Sequence, residues 1–304
     1  MTVLNYSLKR ILLAVPSLIL TSIVVFFLFM MMPGVMGTGY DLAIIWVEYK
    51  KWIVHFITGE LGFSSYYRVD VSLILKEKMS NTLILGFTSL MITYVLSFFM
   101  GKYAGRNPNK LGDRLISSVN YTGLSLPIIV VSVYSIYLFS FELNWFPSNG
   151  SVDITVPEGT FEYWLDRIHH LLLPACVLGV VGTATYTQFL RDDIVENSSK
   201  EYVRTARSIG VPEKRIYNVH ILKNSLIPIV TFLGFDMVNI VNGAIIVETI
   251  FTYPGLGQLF IKSINMRDFA MVMNLTMLFS TIMIIGNLIA DILYGVVDPR
   301  IKVE

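Results

Sequence analysis

The sequence predicts an all-α, polytopic membrane protein with six transmembrane helices, and three observations support this fold class. The 304-residue chain is 54% hydrophobic and only 15% charged, whereas soluble domains are typically about 25% charged. Six apolar segments are each long enough to cross a bilayer, which takes about 20 helical residues. These segments lack a period-two alternation, so helices are favoured over the strands of a membrane barrel.

The predicted spans cover residues 11–32, 79–101, 115–141, 171–190, 226–250 and 270–297. The first four contain no Asp, Glu, Lys or Arg, the fifth contains Asp236 and Glu248, and the sixth contains Asp291. Glu248 is expected at the outer end of its span, where headgroups and water tolerate a charge. No soluble domain or internal repeat is evident, so residues 1–304 are predicted to form a single domain.

The first span resembles a secretion signal only at its start, where Lys9 and Arg10 precede an apolar run. That run is longer than the roughly 7–15 residues of a signal peptide's apolar region. It ends in Met-Pro-Gly at 32–34, without a small-residue cleavage pattern. We therefore expect a retained transmembrane helix.

The distribution of positive charge predicts the orientation. Fifteen of the 23 Lys and Arg residues lie in the two termini, in the loop after the second span and in the loop after the fourth. Loops rich in Lys and Arg stay in the cytoplasm. Both termini are therefore predicted to be cytoplasmic.

The first outer loop contains apolar and aromatic residues at helical spacing: Leu42, Ile45, Trp46, Tyr49, Trp52, Ile53 and Phe56. Trp and Tyr favour the boundary between lipid and water, and this loop also carries lysines. The pattern predicts a short helix at the membrane surface. An interfacial anchor explains it better than a contact with substrate.

The cytoplasmic loop over 191–225 predicts a short basic helix. Ser198 or Ser199 is a candidate N-cap, and Glu201 falls in the first turn. Gly210, with a proline two residues later, is expected to end the helix. A helix of this kind either sets membrane topology or presents a rigid surface to a cytoplasmic partner.

Asp236 is the most distinctive residue within the spans. Asn239 and Asn242 follow at i+3 and i+6, so the three lie on neighbouring turns of one face. An unpaired charge at mid-bilayer costs roughly 2.5–3.5 kcal/mol on insertion scales. The face is therefore predicted to line a translocation pathway or to meet a second subunit. The alternative is a buried, hydrogen-bonded Asp236 that fixes helix packing.

No metal site or resident cofactor is expected in this chain. Cys176 is the only cysteine, so an internal disulfide and a cysteine-rich metal site are excluded. The four histidines are not spaced like ligands on one helix. The sequence also lacks the G-x-x-x-x-G-K-[ST] loop that cradles the phosphates of ATP.

Several ordered motifs run along the chain. They are Gly-Glu-Leu-Gly at 59–62, Ser-Leu-Pro at 125–127, Tyr-Val-Arg-Thr-Ala-Arg at 202–207, Glu-Thr-Ile-Phe-Thr-Tyr-Pro-Gly-Leu-Gly at 248–257 and Asp-Pro-Arg-Ile at 298–301. The set resembles the dipeptide/oligopeptide branch (Opp/Dpp type, B subunit) of the transmembrane permeases of binding-protein-dependent ABC importers. The cytoplasmic loop resembles the "EAA" loop of these permeases through Arg204, Thr205, Ala206 and Gly210, although its Glu and first Ala are absent.

This resemblance implies a type I importer permease (MetI-like) fold in the bacterial cytoplasmic membrane. It also implies four kinds of partner: a homologous second permease, two cytoplasmic ATPases that bind ATP and Mg²⁺, an external substrate-binding protein and a peptide substrate. The loop then becomes a coupling helix that contacts an ATPase. Its candidate coupling residues are Glu201, Tyr202, Arg204, Thr205, Ala206, Arg207 and Gly210.

Other cargoes and other classes of protein stay open at this point. Permeases of this branch also serve glutathione, nickel or metal chelates. An ATP-independent channel or secondary carrier would favour inverted repeats or broken helices, and we find no convincing repeat. An intramembrane protease would need paired catalytic residues, and Asp236 and Asp291 do not lie in a protease-type motif.

Overall fold

The computed structural model describes residues 3–31 and 42–297, which form helices joined by turns and loops. Among these residues, β pairing is limited to one isolated bridge between Phe63 and Asp70, and the predicted all-α class is confirmed. The helices are α1 (Val3–Met30), α2 (Leu42–Thr58), α3 (Val71–Arg106), α4 (Leu111–Ser125), α5 (Ile128–Ser135), α6 (Phe161–Ser198), α7 (Glu201–Ser208), α8 (Glu213–Arg215), α9 (Lys223–Ser225), α10 (Ile227–Ile250), α11 (Leu256–Asn265) and α12 (Phe269–Val297). Two π-helical stretches, Ile136–Glu142 and Ile216–Leu222, follow α5 and α8.

Three helices of the described chain are long and apolar enough to cross a membrane: α3, α6 and the Phe269–Ile289 part of α12. A fourth candidate is the pair Leu111–Ser125 and Ile128–Glu142, if its two bent halves count as one span. The predicted spans 11–32 and 226–250 include residues whose side chains lie outside the described set. The protein is therefore polytopic, and the count of six helices stays a prediction.

The third predicted span, 115–141, is bent rather than straight. Its two halves meet at an angle of 101°. The break falls at Leu126 and Pro127, where Leu126 has the extended backbone of φ −87° and ψ 126°. A proline disfavours helical conformation in the residue before it and lacks the N–H that would continue the helix. Pro127 therefore divides the span into α4 and α5.

The fourth predicted span, 171–190, is the centre of the much longer α6. Thr160 caps the start of this helix, since its Oγ1 accepts a hydrogen bond from the Tyr163 N–H at 3.1 Å. The 38 residues of α6 give a length of about 57 Å at 1.5 Å per residue. That length exceeds the roughly 30 Å apolar core of a bilayer. The helix therefore continues into the predicted cytoplasmic loop.

The described residues divide into two compact units. The first lies within Met1–Leu83, Met237–Ile245 and Pro254–Glu304, and the second lies within Ile84–Asp236 and Ile246–Tyr253. The single domain of residues 1–304 stays a prediction. Each unit has its own apolar core.

In the first unit, α12 packs against α1 and α11. The buried carboxylate of Asp268 orders the start of α12. It accepts hydrogen bonds from the Ser64 hydroxyl and, at 3.3 Å, from the Met271 N–H. Asp268 is 1% exposed, so these donors compensate the loss of water around its charge. The contact with Ser64 joins the loop before α3 to the start of α12.

In the second unit, a buried salt bridge joins the start of α4 to α6. The Arg191 guanidinium donates from Nε to Asp113 Oδ1 at 3.0 Å and from Nη2 to Oδ2 at 2.9 Å. The Asn109 N–H donates to Asp113 Oδ2 at 2.7 Å. Asp113 is 2% exposed. This two-point contact between a guanidinium and a carboxylate fixes both distance and orientation.

Glycine allows α3 and α6 to approach closely in the second unit. A Cβ atom added at Gly105 would lie 2.8 Å from the Cβ atom of Ile194, a distance that real side chains do not tolerate. The two backbones are therefore in near contact at this level. Closely packed interiors of this kind transmit displacement from one element to the next.

Candidate coupling helix and buried carboxylate

The coupling residues predicted from the sequence form α7, which has one anchored face. Val203 and Ala206 on that face are 0% and 7% exposed. They pack into a cluster formed with α6 and the following π-helical stretch: Leu190, Ile194, Ile216, Tyr217, Ile221 and Leu222. Full burial of a valine side chain contributes about 1.5–3 kcal/mol. The short helix is therefore held by packing rather than by its own length.

The start of α7 differs from the expected cap. Lys200 occupies the N-cap position and its side chain makes no capping hydrogen bond. The Ser198 and Ser199 hydroxyls instead donate to the carbonyl oxygens of Ile194 and Glu196. Because α6 continues to Ser198, both serines serve the end of that helix, and the prediction that one of them caps α7 was wrong.

The end of α7 follows the sequence prediction. Gly210 has a left-handed φ of +77°. Its N–H donates to the Arg207 carbonyl, and the Val211 N–H donates to the Ala206 carbonyl, both at 3.1 Å. These two bonds form a Schellman motif, in which a left-handed residue closes the last turn. The chain therefore leaves α7 in a sharp and defined turn.

The opposite face of α7 is open to contact. Glu201 and Arg204 are paired at 3.0 Å, and their side chains are 84% and 68% exposed. Thr205 is also exposed, and its hydroxyl donates to the Glu201 carbonyl. Ile209, at the end of the helix, is 74% exposed. Ile209 is not among the coupling residues predicted from the sequence.

Two other candidate coupling residues are partly held by neighbours. The Tyr202 hydroxyl donates to Asn197 Oδ1 at 2.7 Å. Arg207 donates from Nε to Glu213 Oε1 at 2.7 Å, and this hydrogen bond raises the pKa of the Arg207 guanidinium. Arg204 and Arg207 therefore differ in their contacts, because Arg207 ties α7 to α8 while Arg204 pairs with Glu201 within α7.

The cluster beneath α7 also contacts the end of α3. The Tyr217 hydroxyl donates to the Lys102 carbonyl at 3.0 Å, and the Arg106 guanidinium lies 5.1 Å from the Tyr217 ring centre. A cavity of about 440 Å³ opens beside these groups. Its polar lining includes Arg106, Ser198 and Arg207. The cluster thus links α7 to α6 by packing and, through Tyr217, to the end of α3.

If α7 is the coupling helix that the sequence resemblance implies, replacing Gly210 by alanine should weaken coupling through strain in the turn. Nothing lies within 4 Å of the added Cβ, so the cost is the left-handed backbone, about 1–2 kcal/mol. We expect a lower midpoint of thermal unfolding in detergent and fewer substrate molecules taken up per ATP hydrolysed.

Gly159→Ala is the matched control, because Gly159 has φ +82°, has no neighbour within 4 Å and lies before α6, away from α7 in the sequence. It should lower stability similarly without changing uptake per ATP. Equal coupling in the two variants would contradict a special role for the turn after α7.

The second candidate site is the carboxylate of Asp236. It is 7% exposed and accepts hydrogen bonds from the hydroxyls of Tyr94 and Tyr186, one on each oxygen. The two tyrosine rings lie 5.2 Å apart. Because Tyr94 belongs to α3 and Tyr186 to α6, the carboxylate joins three helices by charge-assisted hydrogen bonds.

Asp236 is thus buried and hydrogen-bonded, as the alternative interpretation of the sequence expects, while its function stays a prediction. The side chains of Asn239 and Asn242 lie outside the described residues, so a pathway lined by the three stays a prediction. Neither Tyr94 nor Tyr186 was identified from the sequence. The available signal was weak: a tyrosine hydroxyl in an apolar span needs a hydrogen-bond partner.

Within the described residues, no group of three or more His, Cys, Asp or Glu side chains could hold a metal ion. The two sites are an exposed charged face on α7 and a buried polar link between helices.

Comparison with known proteins agrees with these features. The profile of the family described as "Binding-protein-dependent transport system inner membrane component" matches residues 93–303. The chain is 35% identical over 258 residues to the oligopeptide transport system permease protein AppB of Bacillus subtilis strain 168, covering 84% of this chain and 80% of AppB. It is 31% identical over 317 residues to the glutathione transport system permease protein GsiC of Salmonella typhimurium strain LT2, covering 98% and 99% of the two chains.

The family match spans more than half of the chain, and the relatives cover most of it. Together with the long apolar helices, this makes the chain a multi-pass membrane protein. The chain belongs to the family of inner membrane components of binding-protein-dependent transport systems.

Proposed function

We propose that this chain is the transmembrane permease subunit of an ATP-driven importer that moves peptides across the bacterial cytoplasmic membrane. The observation that carries the proposal is α7, a short helix with a buried anchor and an exposed charged face. Such a helix is suited to receive force from a cytoplasmic partner. Both termini are assigned to the cytoplasm, in agreement with the distribution of Lys and Arg.

The proposed coupling runs from α7 into the membrane helices. An ATPase that closes on ATP pushes or pulls the exposed face of α7. The buried residues Val203 and Ala206 pass this displacement to α6, and Tyr217 passes it to the end of α3. In this scheme ATP and Mg²⁺ are bound and turned over by the partner ATPases, and this chain is not an enzyme.

The proposed assembly contains a homologous second permease, two ATPases and an external substrate-binding protein. Peptides are the proposed cargo because AppB, a relative that covers most of the chain, is named for oligopeptide transport. Glutathione is a second candidate, supported by the nearly full-length similarity to GsiC. Glutathione is itself a small peptide, so both cargoes require a pathway for a charged, polar chain.

The test is purification of the tagged chain in mild detergent from its native host, followed by mass spectrometry. We expect a second permease, one or two kinds of ATPase and a peptide-binding protein to be recovered with it. The reconstituted complex should take up labelled oligopeptides or glutathione when ATP is supplied. Recovery of the chain without any ATPase, or ATP-dependent uptake of nickel alone, would contradict the proposal.

Arg204→Glu makes the same experiment specific to α7. The Arg204 side chain is 68% exposed, so the fold should persist. The reversed charge should reduce the amount of ATPase recovered and lower uptake at least about tenfold. A tenfold change corresponds to a loss of about 1.4 kcal/mol in binding free energy between α7 and the ATPase. Lys214→Glu, an exposed charge reversal outside α7, is the matched control. Equal losses in both variants would mean that general charge, rather than α7, governs the contact.

A further inference from the structure

The helix α2 in the first unit presents three different faces around its circumference. One face is buried: Ile45 and Tyr49 are 1% and 7% exposed and pack with Phe26 of α1 and Met273 of α12. The other two faces are exposed, one of them apolar and one polar. A helix that meets only protein and water has no need of an exposed apolar face.

The contacts of the buried face place α2 beside the C-terminal half of α1. The Tyr49 hydroxyl and the buried Ser22 hydroxyl are hydrogen-bonded at 2.8 Å. The Phe27 and Trp46 rings lie 5.4 Å apart. Ser22 precedes the end of α1 at Met30 by eight residues, which is about 12 Å along the helix. If α1 spans the bilayer, α2 therefore lies at the depth of one lipid leaflet.

Packing against α12 gives a consistent depth. Met273, which contacts the buried face of α2, lies four residues inside α12, or about 6 Å from its start at Phe269. The Phe29 and Phe269 rings lie 6.2 Å apart, so the end of α1 and the start of α12 are at one level. The buried face of α2 thus contacts both helices inside their ends rather than beyond them.

The exposed apolar face of α2 consists of residues at helical spacing. Trp46, Val47, Val54 and Ile57 are 43%, 51%, 58% and 77% exposed. Positions 43, 46, 47, 50, 54 and 57 share one side of a helix with 3.6 residues per turn. This side is separate from Ile45 and Tyr49. Val47, Val54 and Ile57 are each more than half exposed on this side, while the Trp46 ring also contacts Phe27 and Tyr49.

The polar face marks the direction of water. Lys51 is paired with Glu48 at 2.7 Å, and His55 Nδ1 lies 2.7 Å from Glu60 Oε2. All four side chains are more than 40% exposed. Ile44 is the apolar exception on this side. The helix α2 thus has one face packed against protein, one exposed apolar face and one exposed polar face. This arrangement fits a membrane surface, where protein, lipid and water meet.

Lys50 is the candidate residue for a contact with a lipid headgroup. It lies in the middle of the apolar face, between Trp46 and Val54 along the helix. Among the residues that the structure describes, Lys50 makes no salt bridge, in contrast to its neighbour Lys51. A lysine on a lipid-facing side extends its aliphatic stem along the apolar surface and places its ammonium among the headgroups. A lipid phosphate is the anion available there.

We propose that α2 is embedded in the lipid leaflet around the C-terminal half of α1, with Trp46, Val47, Val54 and Ile57 against acyl chains and Lys50 at a phospholipid phosphate. The inference does not depend on the cargo or on α7. It assigns a lipid surface to a loop helix that follows the first predicted span.

The test uses the full chain with the partners that purify with it, reconstituted in vesicles of phosphatidylethanolamine and phosphatidylglycerol. In a Cys176→Ser background, spin labels are attached to V47C, V54C or, as the matched control, K51C. Oxygen partitions into lipid, while chromium oxalate stays in water. We expect labels at 47 and 54 to collide mainly with oxygen, and the label at 51 to collide mainly with chromium oxalate.

The other outcomes each overturn the proposal. Labels at 47 and 54 that collide mainly with chromium oxalate would place α2 in water, and labels shielded from both reagents would place that face against a partner protein.

Fluorescence of the native tryptophans provides a second measurement. Brominated lipid should quench a smaller fraction of the tryptophan fluorescence in Trp46→Phe than in Trp52→Phe. The reason is that Trp46 faces lipid in this proposal, while Trp52 belongs to the buried side of α2. Lys50→Ala, but not Lys51→Ala, should lower the phosphatidylglycerol retained after purification.

Discussion

Replacing Asp236 by alanine should reduce uptake by more than tenfold and destabilise the chain by about 2–4 kcal/mol. The substitution removes the acceptor of two tyrosine hydroxyls that are only partly accessible to water. A buried donor left without a partner costs about 1–3 kcal/mol, and two partly buried donors lose their acceptor here. Thermal unfolding of the purified chain and uptake by the reconstituted complex measure the two effects.

Asp236→Asn separates the charge from the hydrogen bonds. The amide keeps one acceptor oxygen and gains a donor that a tyrosine oxygen can accept. Assembly of the complex should therefore survive, while uptake falls if the negative charge contributes to transport. Unchanged uptake kinetics in Asp236→Asn would leave Asp236 with a packing role only.

The triple variant Asp236→Leu with Tyr94→Phe and Tyr186→Phe tests the packing role directly. Replacing both partners of a buried polar contact with apolar groups is often nearly neutral. We expect it to recover much of the stability lost in Asp236→Ala. If it is no more stable than Asp236→Ala, the three side chains do not act as one unit.

Replacing Arg191 by methionine should give the second large effect: the free energy of unfolding should fall by about 3 kcal/mol. Asp113 would then remain buried, with the Asn109 N–H and the Ser117 side chain as hydrogen-bond partners but without a paired cation. Removing one member of a buried ion pair typically costs about 3–5 kcal/mol. The lower end applies because the Arg191 side chain is 23% exposed. The midpoint of thermal unfolding in detergent should fall by roughly 5–10 °C.

Two controls accompany this variant. Lys110→Met removes an exposed cation near the same turn and should change the midpoint little. Asp113→Leu combined with Arg191→Met removes the buried charge as well and should regain stability. A double variant as unstable as Arg191→Met would show that packing around the aliphatic part of Arg191, rather than the ion pair, holds α4 to α6.

Local features of the site were predictable from the sequence. Gly210 and the proline after it indicated the end of α7, and the structure places a Schellman motif there. The cap at the other end was mispredicted because the end of α6 depends on packing beyond the apolar segment. Local signals report on turns and caps, while the length of a helix also depends on distant contacts.

Long-range contacts were not predictable. Asp236 was identified from the sequence as an acidic residue in an apolar span. Its hydrogen-bond partners Tyr94 and Tyr186 lie 142 and 50 residues away along the chain. Glu248, expected among headgroups and water, is fully buried. The Tyr253 N–H donates to the Glu248 carbonyl oxygen at 2.8 Å, so the chain after α10 folds back over Glu248. Periodicity in one segment contains no information about which other segment covers it.

The continuity of α6 has a mechanical consequence. A rod of about 57 Å that pivots near one end amplifies small rotations at that end into large displacements at the other. A tilt of about 10° would sweep the far end through roughly 10 Å, more than the roughly 5.4 Å pitch of a helix. Because Val203 and Ala206 of α7 are packed against the last turns of this rod, the proposed coupling scheme makes α6 the lever arm that would turn a short stroke of α7 into a larger displacement at the other end of the helix.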